Sequence, residues 1–405
     1  MRRRTIQEIH GHDAETDYQA YHHLIANSPW DEAGLHGQIW RDADRLLGGS
    51  VDTALIVDPS GFPKRGNHSV GVDRQWCGQL GKVDNCQVAV FAALANGRDA
   101  VLTDRRLYLP KSWTDDEARL KKAKVPEDKS AYKTHADLAL EMIEAADANK
   151  VRYSFVSMDG EFGNNPKLLR KLDDTGHNFM IDIHKDQTIY LYNPRLSVKR
   201  ENQVGDGRGS LRLESAPMRV DAYVRSLGAR GWRKLKLRQG TKGDVNANIL
   251  HTRVWHWDGE EQRPRQWHLI VRRRTAKKGL KYSLSNAPPE LATKRLAYWQ
   301  SQRQWVERSI RDAKQEAGIS DYQVRTWRAW HHHATLSIMA AMWMLEARLE
   351  YGARLPLLSV RDIRDLMAQS VVEDSDRANM IQRVIDRHKR RRAAVESAKR
   401  RPPPD

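Results

Sequence analysis

Thr53-Ala54-Leu55-Ile56-Val57-Asp58 and, further along, Ser154-Phe155-Val156-Ser157-Met158-Asp159 are the two stretches on which the fold turns. Each is a short apolar run without helical period, the pattern of a buried strand, and each ends on an aspartate. Between them lie two more strand-like runs, residues 86–94 and 100–109, separated by the turn Asn96-Gly97. The first three runs therefore predict an antiparallel meander. Thr134 caps a helical pattern through Ala148, and a helix followed by a strand implies a crossover that lays the second aspartate strand beside the first. After Asp159, Asn165-Pro166 opens another helix, Gly176 closes it, and residues 179–183 supply a fifth strand.

The order β-β-β-α-β-α-β is that of an RNase H-like α/β core with a mixed sheet. A helical N-terminal region (1–50) precedes it, with Ser28-Pro29-Trp30-Asp31 as a helix start and Gly48-Gly49 as its end. The first part of the core spans 51–186. Residues 187–288 change to short alternating stretches with many glycines, which reads as a β-rich insertion. Pro288-Pro289 mark its exit, and a long helix over 290–316, stopped by Gly318, begins the second part of the core (289–350). An apolar helix over 328–350, a helix capped by Ser359 and a basic tail (351–405) complete the chain.

The 405 residues hold 69 Lys and Arg against 52 Asp and Glu, a formal charge of +17 that favours a polyanionic partner, nucleic acid first. Cys77 and Cys86 are the only cysteines, with no metal-binding spacing around them, which excludes a disulfide framework and fits a reducing compartment. The basic N-terminus is followed by no apolar core of a secretory signal. The longest apolar run, 334–345, is too short for a bilayer and predicts a buried helix. The expected location is the cytoplasm.

Strand-end aspartates suit phosphoryl-transfer chemistry that holds two hard cations about 4 Å apart, because such ions prefer clustered carboxylate oxygens. A solvated turn residue is the plainer explanation of either aspartate alone. A third carboxylate is available at Glu307 on the long helix. At about 100° per residue, Arg303, Glu307 and Lys314 fall within a stripe roughly 40° wide and can face one phosphate together. The competing explanation is an ordinary Arg/Glu pair on an exposed helix. Lys64 and Arg65, in a glycine-bounded loop after Asp58, are candidates for phosphate contact or simply solvated. His331-His332-His333 point about 100° apart and cannot share one ion, so they are expected at the core edge or facing DNA. In the insertion, tryptophans alternate with arginines; Trp255 and Trp257 are candidates for stacking on unpaired bases, against the alternative that they form the core of a small β domain.

Three blocks of the chain resemble those of bacterial insertion-sequence DDE transposases, over about residues 28–345. The first is Asp58-Pro59-Ser60-Gly61-Phe62-Pro63-Lys64-Arg65-Gly66 with Gln75-Trp76-Cys77-Gly78-Gln79-Leu80-Gly81-Lys82-Val83-Asp84-Asn85-Cys86-Gln87. The second is Met158-Asp159-Gly160-Glu161-Phe162-Gly163-Asn164-Asn165-Pro166. The third runs from Trp305-Val306-Glu307-Arg308 through Lys314 to Ile319, followed by Tyr322-Gln323-Val324-Arg325. The branch resembled carries a Tyr, Arg, Glu, Lys signature; Arg303, Glu307 and Lys314 match it, while Gln300 replaces the Tyr. The resemblance implies Asp58, Asp159 and Glu307 as ligands of two Mg²⁺ or Mn²⁺ ions, with Arg303 and Lys314 on phosphates. It also implies cleavage at transposon ends, joining of the 3′-hydroxyls to target DNA, a homodimer on double-stranded terminal inverted repeats, and no membrane partner. Two alternatives stay open: a domesticated or inactive relative that only binds DNA, and a host endonuclease of the same core without strand transfer.

Overall fold

The computed structural model describes residues 18–199, 210–213, 216–240, 243–261, 263–273, 279–352, 354–355, 357–367, 382, 384–386, 388–393 and 395–397. The chain forms two compact units, one drawn from Met1–Tyr153 and Gln304–Asp405, the other from Ser154–Arg303.

In the first unit, α1 (Tyr18–Ala26) and α2 (Glu32–Leu47) precede the sheet. Helix α2 begins at Asp31, whose carboxylate accepts from the Ala33 amide at 2.9 Å, rather than at Ser28 as expected. Trp30 explains the delay: its indole donates to the Leu24 carbonyl at 2.8 Å and its ring stacks on His332 at 3.7 Å, so it is held outside the helix. Ile39, Trp40, Ala43 and Leu47 are buried at helical spacing, and each large side chain among them contributes about 1.5–3 kcal/mol by burial. The sheet comprises β1 (Ala54–Pro63), β2 (Val72–Cys77), β3 (Lys82–Asn96) and β4 (Asp99–Leu107), all antiparallel. β3 is central, with β1 along one edge and β2, then β4, along the other. The expected meander of β1, β3 and β4 holds; β2 is an additional strand. Gly97 takes φ +67, as the tight turn between β3 and β4 requires. Residues 86–95 of β3 are buried without alternation, because helices cover the strand, and four alanines among them let those helices come close. Helix α3 (His135–Ala148) starts with the expected Thr134 cap, reciprocated by Asp137.

The second unit opens with β5 (Phe155–Met158), a one-turn helix at Gly160–Gly163, α4 (Pro166–Asp174) and β6 (Phe179–Ile183), which lies parallel to β5. Beyond come β7 (Thr188–Ile189), β8 (Leu196–Lys199), β9 (Ser210–Leu213), β10 (Met218–Arg219), helix α5 (Val220–Leu227), β11 (Trp232–Gly240), β12 (Gly243–His256), β13 (Arg265–Arg273) and β14 (Leu280–Ser285). The sheet order β5-β6-β14-β13-β12-β11 has one parallel pair and four antiparallel ones. Helix α6 (Thr293–Gln302) closes the unit, with Trp299 stacked on Phe155 of β5 at 4.2 Å. The segment expected to be β-rich is so, with α5 as an unforeseen helix.

Returning to the first unit, α7 (Gln304–Glu316), α8 (Trp327–Gly352) and α9 (Val360–Met367) complete its cover. α7 packs on β1, β3 and β4; α8 packs on α1, α2, β4 and α9. The single helix expected over 290–316 is therefore two helices, interrupted at Arg303. No Gly or Pro causes the break. Gln302 is fully buried and Arg303 is held by an ion pair, so tertiary fixing of these side chains overrides local propensity. The basic tail is partly described: Arg391 pairs with Asp362 of α9, while Lys399-Arg400-Arg401-Pro402 lies outside the described residues. The fold is α/β with a mixed sheet and helical terminal regions, and among the described residues no helix is long and apolar enough to cross a membrane.

Candidate active site

Asp58 lies within β1, opposite Phe91 of β3, not at the strand's end; the strand runs five residues further, to Pro63. Pro59 and Pro63 share parity, so the ladder donors they lack fall on one edge of the strand. Alternation puts Asp58, Ser60 and Phe62 on one face. Lys314 of α7 reaches that face: its ammonium donates to Ser60 Oγ at 3.0 Å, the Gly61 carbonyl at 2.8 Å and Gln79 Oε1 at 3.3 Å, and sits 4.2 Å from the Phe62 ring centre. Glu307 stands two helical turns earlier on the same stripe and is exposed. The helix that carries Glu307 and Lys314 is thus laid against the strand that carries Asp58.

Lys64 is not a solvated loop residue. Its ammonium lies 3.5 Å from the Tyr322 ring centre and 3.5 Å from the Tyr322 carbonyl. Burial pushes both Lys64 and Lys314 down to about 8. The oxygens and rings named here around the two ammonium groups are neutral, an environment that favours an incoming anion. Arg65 next to it is exposed. The three histidines are core anchors, none of them aimed at a shared point. His331 meets the Trp327 carbonyl at 2.9 Å, His332 the Ile25 and Trp30 carbonyls at 3.1 Å each, and His333 the Gly318 carbonyl at 3.1 Å.

In the second unit, Asp159 directly follows β5 and caps the one-turn helix, accepting from the Glu161 amide at 2.9 Å. Burial raises its pKa, with the Glu161 carboxylate adding to the rise and Arg303 opposing it. Two glycines make this turn possible. A Cβ on Gly163 would lie 1.8 Å from the Asp182 carbonyl oxygen, and one on Gly160 would lie 2.8 Å from His184 Cδ2. The Asp-Gly-Glu-Phe-Gly pattern is therefore a close-packing requirement of the turn against the end of β6. Asn164 locks the same junction, its Oδ1 accepting from the His184 amide at 3.2 Å.

Arg303 is engaged by Asp182: Nε lies 2.8 Å from Oδ2, which also takes Lys281 Nζ at 2.7 Å, while Ser283 Oγ donates to Oδ1 at 2.7 Å. Sequence reasoning missed Asp182 and Lys281; the available signal was a lone acid in the apolar run Phe179–Ile183. Gln300, in place of the signature Tyr, is 1% exposed and donates to the Ile270 carbonyl at 3.2 Å and Ser283 Oγ at 2.9 Å, so it braces β13 and β14. Trp255 is half-buried and its backbone bridges Tyr190; Trp257 is half-buried with its indole donating to the Glu261 carbonyl at 2.8 Å. Trp267, buried between Phe179 and His256, takes the core role.

The first unit thus supplies Asp58, Glu307, Lys314, Lys64 and Arg65, and the second supplies Asp159, Arg303, Trp255 and Trp257. Among the described residues, no three His, Cys, Asp or Glu side chains are gathered closely enough to hold a metal ion by themselves. The donor chemistry nonetheless fits a hard divalent cation, since every candidate ligand is a carboxylate and Asp159 is a desolvated one beside a second acid.

The model of one protein family, described as DDE superfamily endonuclease, matches residues 1–244, a span that contains Asp58 and Asp159 and stops short of Glu307. A probable transposase for insertion sequence element IS701 from Microchaete diplosiphon is 22% identical over 327 residues, covering 80% of this chain and 73% of that relative.

Proposed function

Because the chain belongs to the DDE superfamily of endonucleases, we propose that it is a transposase that cuts DNA at transposon ends and joins the freed 3′-hydroxyls to target DNA. The observation that carries this reading is the seating of Lys314 on the Asp58 face of β1, with Glu307 on the same helical stripe. The relative named as a probable transposase supports it.

In this reading the catalytic fold is drawn from residues 51–186 and 289–350, with 187–288 as an insertion. Asp58, Asp159 and Glu307 would hold two Mg²⁺ or Mn²⁺ ions, which supply Lewis-acid polarisation of the scissile phosphodiester. Lys314 and Lys64 offer desolvated ammonium groups to phosphate oxygens, an interaction strengthened by their burial. Arg303, held at Nε by Asp182, would position a phosphate beside them. Gln300 does not stand in for the signature Tyr, because it is buried and its amide nitrogen is engaged by the core. Two transposon ends call for two copies of the chain, so a homodimer on DNA is part of the proposal.

The test is incubation with Mg²⁺ or Mn²⁺ and DNA carrying the terminal inverted repeats of the element that encodes this chain. Cleavage and joining by the wild type, both lost in Asp58→Ala, Asp159→Ala and Glu307→Ala, is the expected result. Binding without cleavage points to a DNA-binding derivative, and nicking without joining to an endonuclease. Wild-type cleavage by all three variants refutes the site.

A further inference from the structure

The ribbon formed by β2 and β3 exposes an aromatic ring that nothing in the fold requires to be outside. Trp76 is 63% exposed, facing Val83 (52%) across the strands, with Leu80 (43%) in the turn between them. The ribbon beneath is anchored from its other side. Cys77 and Cys86 are completely buried on its other face, and Gln75 Nε2 donates to the Gly71 and Cys86 carbonyls at 3.2 and 2.9 Å. A large apolar ring held out from an anchored scaffold is the arrangement of a contact residue rather than of a loose surface side chain.

The ring's surroundings select the partner. Arg74 lies on the same face two residues before it and is exposed, whereas Lys82, opposite Cys77, belongs to the other face. Asn85, also on that face, donates to the Lys64 and Gly66 carbonyls at 2.9 and 3.0 Å and so fixes the loop that bears Lys64 and Arg65. Over residues 64–85 Lys82 and Asp84 pair with each other at 2.8 Å, which leaves Lys64, Arg65 and Arg74 against one carboxylate, Asp73, itself bound by Ser112. Gln79, in the ribbon's own turn, accepts from Lys314 at 3.3 Å, which ties the ribbon to the helix of Glu307. An aromatic face set among cations is the chemistry that takes a nucleobase by stacking and its phosphates by charge.

We propose that the β2–β3 ribbon is a DNA-end contact in which the exposed Trp76 ring stacks on an unpaired base, while Arg74 and the Lys64-Arg65 loop hold the adjoining phosphates. The inference rests on the DNA-processing reading above and adds to it the single-stranded character of the DNA at this point. Stacking accepts any base, so the test does not require the element's own sequence.

The experiment compares the full chain with Trp76→Ala and Trp76→Phe, in EDTA so that nothing is cut. Each binds a mixed-sequence duplex that is either blunt or carries a single-stranded tail with 2-aminopurine at the junction. The wild type should prefer the tailed duplex and quench the 2-aminopurine. Trp76→Ala should lose about tenfold in tailed-duplex affinity and lose the quenching, keep its blunt-duplex affinity, and show an unchanged salt dependence, because stacking releases no counterions. Trp76→Phe should recover most of the loss. Thermal melting of each variant shows that the exposed substitution leaves the fold intact. Equal binding of both duplexes by wild type and Trp76→Ala overturns the inference alone. A loss of self-association in sedimentation velocity with unchanged DNA affinity also overturns it, in favour of a second copy of the chain as partner. Failure of the wild type to bind either duplex brings down the DNA-processing reading as well.

Discussion

Lys314→Arg reads the electrostatics of the candidate site most directly, because it keeps the cation and removes its titration. Burial holds Lys314 and Lys64 down to about 8, against 10.5 for an unperturbed lysine. The direction matters. Between those values the unfolded chain carries protons that the folded one lacks, so these two lysines make the DNA-free protein more stable as pH rises through that window. A DNA phosphate acts the other way, favouring the charged form and returning the proton, so DNA binding takes up protons above pH 8. If contact restores an ordinary lysine pKa, affinity falls ~16-fold per lysine between pH 8 and 9.5, and ~250-fold when both lysines touch phosphate. Arginine stays charged throughout, so Lys314→Arg should fall only ~16-fold over the same range. The assay is fluorescence anisotropy of labelled duplex at constant ionic strength without divalent metal. A wild-type affinity that stays flat from pH 8 to 9.5, or a variant that falls as steeply as wild type, refutes the phosphate role of Lys314.

Gly163→Ala would put a methyl group 1.8 Å from the Asp182 carbonyl oxygen, a backbone atom that cannot turn aside. A loss of at least ~1–3 kcal/mol in urea unfolding is expected, with DNA cleavage impaired beyond what the loss of folded protein explains. Asp182→Asn removes the carboxylate that Arg303 and Lys281 share and should cost ~3–5 kcal/mol in the same measurement. Asp104, fully buried on β4, has its acid form held well below the usual range: burial pushes its pKa up, but Arg106, His36 and Arg105 more than offset it. Asp104→Asn should therefore destabilise by ~3–5 kcal/mol at neutral pH. The gap from wild type should narrow as pH falls below 3.8, where wild type itself begins to lose the pair's stabilisation, as calorimetry across pH would show.

What was legible in the sequence was local. Phe155–Met158 reads as a buried strand because four apolar or small residues stop at Asp159 and a proline-started helix follows, and both elements are present. Thr134 and Asn165 announce their helices through side-chain oxygens that cap in place. Pro59, Gly61 and Pro63 look like a turn in the sequence, and only pairing with β3 shows that β1 continues through them. The stripe through Arg303, Glu307 and Lys314 was drawn on one straight helix; a helical wheel carries no information about a break imposed by the partners of residues 302 and 303. Gln300 illustrates the same limit, since its amide nitrogen donates to Ile270 and Ser283, contacts from strands that no local pattern links to it. Trp76 escaped attention for the opposite reason, because its exposure is visible only once the ribbon's two faces are known.

The unit that carries Asp58 is discontinuous in the chain, with α7 returning to β1 only after the whole of Ser154–Arg303. On a ribosome this sets a schedule. Glu307 is made 249 residues after Asp58, which at bacterial or eukaryotic elongation rates is a delay of ~12–50 s. Until then β1 and β3 lack the helix that covers them, and nascent or prematurely terminated chains lack both Glu307 and Lys314. On the site proposed above, the chain would stay unarmed until α7 is made, and products truncated before α7 are expected to lack nuclease activity.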